Sequence, residues 1–144
     1  MKKFSFPLER VLAWRQTQCK LEEAKLDRAN FELRALEQQL AQLVQDRDAA
    51  RRDLVATDGR TGAEFQALEP YRAASEAQGI RGARIAADLR LSIAAQMQVV
   101  TERRRDAKLL ERLREQQFKA WSEAAAKEVE QQAEESYLSR WNLR

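Results

Sequence analysis

The sequence holds no histidine and a single cysteine, Cys19. Without histidine there is no Ser-His or Cys-His catalytic pair. Metal sites of the usual His/Cys kind are excluded on the same ground. One cysteine cannot close an internal disulfide. Cys19 falls on the hydrophobic seam traced below, so it reads as a small apolar core residue. No apolar run approaches the length a membrane helix needs, about 18 residues. Lys2 and Lys3 resemble the start of a signal peptide, but Glu9, Arg10 and Arg15 interrupt any apolar stretch after them. The chain is therefore expected to stay in the cytoplasm.

Chain-breaking residues are equally scarce: four glycines and two prolines in 144 residues. The segments G-R-T-G and G-I-R-G lack the spacing and the Lys-Ser/Thr pair of a phosphate-binding loop. Aromatics make up only 7%. Charge of one sign is not in excess either. The net charge is +3, and residues 1–72 carry 13 basic and 12 acidic side chains, so there is no polyanion-binding tail. No cofactor, metal or catalytic residue is expected. Carboxylate pairs on solvated helices are ordinary ion-pair partners, and a two-helix hairpin has too little interior for a substrate pocket.

What is present favours helix. Ala, Glu, Gln, Leu, Arg and Lys dominate, and all are good helix formers. Every glycine falls between Gly59 and Gly82, together with Pro70. Glycine and proline punctuate helices. The chain thus reads as one domain over 1–144: helix one about 7–56, a broken helical tip about 57–82, and helix two about 83–140. Pro7 suits the first helical position, and T-D-G-R-T-G at 57–62 supplies turn chemistry. The fold class is all-α, an elongated antiparallel two-helix coiled-coil hairpin with a Gly/Pro-broken tip.

Periodicity supports this. Alternating steps of four and three from Leu8 meet Leu8, Leu12, Arg15, Cys19, Glu22, Leu26, Ala29, Leu33, Leu36, Leu40, Leu43, Arg47, Ala50 and Leu54. All but three are apolar, a heptad seam that requires a partner helix. Helix two is less regular. Ile85, Leu89, Ile93, Met97 and Val100 give one face. Leu109, Leu110, Leu113, Phe118, Trp121, Ala125 and Val129 continue it after a shift, which reads as a stutter. In a hairpin both chain ends meet at one tip. Phe4, Phe6, Val11 and Trp14 would then lie beside Tyr137, Leu138 and Trp141. Either these residues close the coiled coil against each other, or part of their surface docks a partner.

Helix two is also polarised. R-R-R-D-A-K-L-L-E-R-L-R at 103–114 is mostly basic, and 115–135 is mostly acidic. A nucleic-acid stripe would keep its basic residues on one face, free of acids. Arg103, Arg104 and Arg105 point in different directions around a helix, so no nucleic-acid partner is expected. An end mixing acids with aromatics suits a basic, apolar sleeve of another protein.

The stretch F-S-F-P-L-E-R-V-L-A-W-R-Q-T-Q-C-K-L-E-E-A resembles the opening of the FliJ family of flagellar export proteins. That family begins F-x-F-x-L-x-x-V-L-x-x-R, then a short gap and E-x-A. The matching positions here are Phe4, Phe6, Leu8, Val11, Leu12 and Arg15, then Glu23-Ala24. Residues 109–135 resemble the family's second characteristic stretch, through Leu110 to Leu113, Trp121 and Glu128 to Glu135. The resemblance implies a non-enzymatic accessory stalk of the bacterial flagellar type III export apparatus, peripheral to the inner membrane. Its implied partners are the hexameric export ATPase, the export-gate membrane protein and export chaperones. The implied ATPase-ring contacts are Phe4, Phe6, Val11, Trp14, Trp121, Tyr137 and Trp141. The implied gate contacts are Gln39, Leu43 and Tyr71, although the next two turns beyond Leu43 read Asp46 and Ala50 rather than aromatics. The alternatives are the equivalent stalk of an injectisome, a generic coiled-coil scaffold, and a nucleic-acid-binding helical protein.

Overall fold

The structure, a computed structural model, describes residues 2–56 and 62–143. It is an all-α helical hairpin of two long antiparallel helices. α1 spans Glu9–Ala56 and α2 spans Gly62–Asn142. Pro7 and Leu8 form a turn into α1, in which the Glu9 amide donates to Phe6 O at 3.1 Å. Leu8 O accepts the Leu12 amide at 2.9 Å, so the helix starts two residues after Pro7. The turn expected at 57–62 lies, but for Gly62, outside the described residues.

Two compact units divide the pair. In the unit formed by the chain up to Leu21 and from Thr101 onward, Arg15 pairs with Asp106 at 3.2 Å and Gln16 donates to Glu111 at 3.1 Å. Leu12, Cys19 and Ala107 are buried there. The unit Glu22–Val100 buries Ser75, Ala86, Ile93 and Val100. In it Gln96 Nε2 donates to both Glu22 O, at 3.0 Å, and Glu22 Oε2, at 2.6 Å. Arg90 pairs with Glu37 at 3.0 Å. From Glu9–Arg114 to Arg15–Asp106 in the first unit, and from Glu22–Gln96 to Glu37–Arg90 in the second, partners on α2 fall in number as those on α1 rise, which is antiparallel pairing.

The α1 seam follows the heptad pattern. From Leu12 to Leu54 every seam position is buried or half-buried, and only Leu8 is exposed. Two of its polar interruptions are answered across the pair, Arg15 by Asp106 and Glu22 by Gln96. Such pairs fix register better than they add stability, because part-exposed ion pairs contribute only about 0.2–1 kcal/mol.

α2 differs from the sequence expectation in two ways. First, of the broken tip expected over about 57–82, the described part, 62–82, is unbroken helix. These residues are the opening turns of α2, and Pro70 lies within the helix. Proline removes one backbone hydrogen bond and costs about 3 kcal/mol in a helix interior, but tertiary packing overrides local propensity. That packing begins at Ser75 and continues at Gly79 and Gly82. A Cβ on Gly82 would overlap Leu40 Cδ2 and come within 3.3 Å of Leu40 Cγ. A Cβ on Gly79 would meet Leu43 Cδ2 at 3.8 Å. These glycines are seats for leucines, not helix ends.

Second, the stutter is absent. Among the buried and half-buried positions on α2, those at 75, 79, 82, 86, 89, 93, 96, 100, 103, 107, 110 and 114 keep an unshifted heptad alternation, with flanking positions such as 99, 106, 111 and 113 also half-buried. Ile85, Met97, Leu109 and Val129, assigned to the inner face from hydropathy, are exposed. Small or polar residues take the inner positions instead: Ser75, Gly82, Ala86, Gln96, Arg103 and Ala107. Bulky leucines on α1 face small residues on α2, and hydrophobicity alone does not register that division.

Candidate functional site

The unit holding both ends of the chain carries the aromatic cluster. The Phe4 ring meets Phe118 edge-on, with centroids 5.2 Å apart and planes at 83°. Trp121 lies 5.8 Å from Phe4 and 5.7 Å from Phe118. Edge-to-face geometry of this kind is the favoured aromatic arrangement. The Arg114 guanidinium lies 5.6 Å over the Phe4 ring and its Nε donates to Glu9 at 2.9 Å. Trp121 Nε1 donates to Lys2 O at 3.1 Å. Phe6, two residues on from Phe4, is 5% exposed. The segment before α1 is therefore clasped onto α2 by a staple of two aromatics, one arginine and one indole hydrogen bond.

This placement divides the residues proposed for ring contact. Phe4 and Trp121 come together, but they face one another, and Phe6 is buried. Val11 and Trp14 are exposed on α1, Trp14 at 54%, with the Arg15 guanidinium 5.2 Å from its ring. Tyr137 and Trp141, each 66% exposed, do not pack beside the N-terminal cluster as expected. The cluster is met by Arg114, Phe118 and Trp121, and α2 runs on beyond them. From Val129 to Leu143 every described residue is exposed. This stretch, up to Asn142, is the C-terminal end of α2. It presents Tyr137, Leu138 and Trp141 together with Glu130, Glu134 and Glu135.

The residues proposed for the gate contact are in the other unit. Gln39 is exposed, Leu43 is a half-buried seam residue against Gly79, and Tyr71 is exposed. Tyr71 is eight residues from Gly79 along α2, roughly 12 Å at the helical rise. The structure therefore does not gather Tyr71 with Leu43. Tyr71 instead lines an open hollow of about 580 Å³ with Arg47, Arg51, Phe65, Leu68 and Arg72. Arg72 chelates Glu69, at 2.6 Å through Nη2, and reaches Glu76 at 3.0 Å. The hydrogen bond from Arg72 holds the Glu69 carboxyl below the usual range, and that bond raises Arg72 in turn.

Phe118 and Arg114, central to the staple, were not among the site residues read from sequence. Their signal was positional: both lie near Trp121 in the stretch that resembles the family's second motif. The basic run also resolves differently from its sequence reading. Arg103 turns inward on the seam, and its Nε is buried without a hydrogen-bond partner. Arg104, Arg105, Lys108 and Arg112 share one outward hollow with Thr101 and Leu109. Among the described residues there is no cluster of three His, Cys, Asp or Glu arranged to hold a metal, and no helix long and apolar enough to cross a membrane.

The geometry thus defines a class, a two-helix coiled-coil hairpin that presents an aromatic, acidic helical end. Compared with family models, curated proteins and solved structures, the chain matches none.

Proposed function

We propose that the chain is a non-enzymatic stalk of a bacterial type III export ATPase, flagellar in setting. It inserts the end bearing Trp14, Tyr137 and Trp141 into the hexameric ring. The observation that carries this reading is the exposed extension Val129–Asn142, a helix end of aromatics and acids. It supplements the motif resemblance at Phe4, Phe6, Leu8, Val11, Leu12 and Arg15. A stiff, asymmetric coiled coil in a sixfold ring touches unlike faces of equivalent subunits. Its differential contacts then bias those subunits into different states. Under this reading Phe4, Phe6 and Trp121 hold the end in shape, while Val11, Trp14, Tyr137 and Trp141 touch the ring. Gln39, Leu43 and Tyr71 belong to the gate contact, export chaperones are further partners, and membrane association is peripheral, through them.

Binding to a hexameric export ATPase and stimulation of its turnover test this directly. Trp14→Ala and truncation after Glu128 are expected to leave helix content and melting temperature unchanged while weakening both. Phe4→Ala is expected to lower stability by about 1–3 kcal/mol, less than for a fully buried ring, and to reduce stimulation only as far as folding falls. Full binding by both the Trp14 and the truncated variants would defeat the proposal.

A further inference from the structure

α2 bears two exposed stripes within the unit that holds the chain ends. One runs Thr101, Arg105, Lys108, Arg112. The other runs Glu130, Glu134, Tyr137, Trp141. All eight residues are exposed. Both stripes step four, three, four. At about 100° per residue, both fall within an arc of about 80° on the helix.

We infer that this side of α2 pairs with the same side of a second copy, antiparallel, about a two-fold axis at Trp121. Superposing the stripes in that register sets Arg112 opposite Glu130 of the second copy and Lys108 opposite its Glu134. Arg105 lies opposite the Tyr137 ring, a cation–π arrangement, and Thr101 opposite Trp141. The stripes continue inward with the same alternation. Glu115 meets Lys127 and Lys119 meets Glu123. No like charges face each other along the stripes, and the exposed Leu109 meets Ala133. The symmetry makes each contact twice, as an isologous interface requires. An ordinary solvated helix face places its opposite charges at i, i+4 on itself. Glu115, Lys119, Glu123 and Lys127 do stand at that spacing, but Lys108, Arg112, Glu130 and Glu134 have no opposite charge at i, i+4 and meet one across an inverted copy.

This pairing does not rest on the export-ATPase reading. It covers Tyr137 and Trp141, so self-pairing and any partner that uses those rings exclude each other.

Charge exchange tests it. The full chain, 16.7 kDa as a monomer, is expected to show twice that mass by sedimentation equilibrium at low salt. Raising salt from about 0.05 to 0.5 M shortens the Debye length from about 14 to about 4 Å and is expected to weaken association about tenfold. The variant Glu130→Lys with Glu134→Lys is expected to be monomeric, and so is Lys108→Glu with Arg112→Glu, each with unchanged helix content. Mixed in equal amounts they restore complementarity at both contacts and are expected to form a heterodimer. A wild-type chain that stays monomeric at low salt overturns the inference. So do variants that dimerise unmixed, a mixture that stays monomeric, or association that grows beyond a dimer.

Discussion

Gly79 and Gly82 are three residues apart on α2, yet alanine at the two positions is expected to act with opposite sign. Replacing an interior helical glycine by alanine gains about 1 kcal/mol in helix propensity. At Gly79 the new methyl meets Leu43 Cδ2 at 3.8 Å, ordinary van der Waals contact. The propensity gain is retained, and Gly79→Ala is expected to stabilise the hairpin by about 1 kcal/mol, roughly 3–4 °C in melting temperature for a chain of this size. At Gly82 the methyl overlaps Leu40 Cδ2 and approaches Cγ at 3.3 Å and Cδ1 at 3.5 Å. Two atoms of one leucine, the terminal Cδ2 and the less mobile Cγ, are crowded by the new methyl, so Leu40 must shift to admit it. Overpacking of this kind costs about 1–3 kcal/mol. Gly82→Ala therefore ends between neutral and about 2 kcal/mol destabilising. Urea unfolding followed by far-ultraviolet circular dichroism measures both. Trimming the obstruction supplies a control: in a Leu40→Ala background, Gly82→Ala should recover the propensity gain, a coupling that a double-mutant cycle reads out. If both alanines stabilise equally in the wild-type background, Leu40 does not seat on Gly82 and the reasoning fails. If both destabilise, the contact at Gly79 is misjudged.

Further outcomes follow from other parts of the pair. Arg103→Met keeps the aliphatic stem and removes a buried Nε that has no partner; it is expected to raise stability by about 1 kcal/mol in the same urea assay, since an unsatisfied buried donor costs about 1–3 kcal/mol, and a loss of stability would show that the guanidinium is bonded. Glu69 is held below its usual range by the hydrogen bond from Arg72. Its contribution is therefore present above the unfolded glutamate value, about 4.3, and is lost as pH falls through the lower folded value. Arg72 is raised, so its contribution is lost only at extreme alkaline pH. Melting curves below pH 5 should accordingly fall off slightly more steeply for the wild type than for Glu69→Gln, and identical acid limbs would remove the pair from the account.

How much of this was legible in the sequence differs between the helices. α1 could be read almost residue by residue, because its seam is leucine and a leucine heptad is visible to hydropathy. α2 was legible only in part: Leu89, Ile93, Val100 and Leu110 lie on the inner face as read, but Ser75, Gly82, Ala86, Gln96, Arg103 and Ala107 share it. A count of apolar residues followed Ile85, Met97 and Leu109 onto the outer face and found a stutter where none exists. The same blindness turned Gly79 and Gly82 into breaks: glycine signals both a helix end and a close approach, and only the neighbour, Leu40 or Leu43, tells which. At the candidate site, the sequence reading set Phe4 and Phe6 beside Tyr137 and Trp141, whereas Phe4 packs on Phe118 and Trp121. The separation of Phe4 from Tyr137 and Trp141 depends on where along α2 the N-terminal segment lands, and register between distant segments is not written in either segment alone.

The fit of Leu40 over Gly82 has a mechanical side. Sliding α2 by one heptad, about 10.5 Å of rise, would bring Leu89 or Ser75 to Leu40 in place of the glycine. One direction drives leucine into leucine; the other leaves the leucine over a hydroxyl that is buried in the present register. Both are uphill, so the contact acts as a detent. Within that unit an axial push on one helix is delivered to the other rather than lost to slippage.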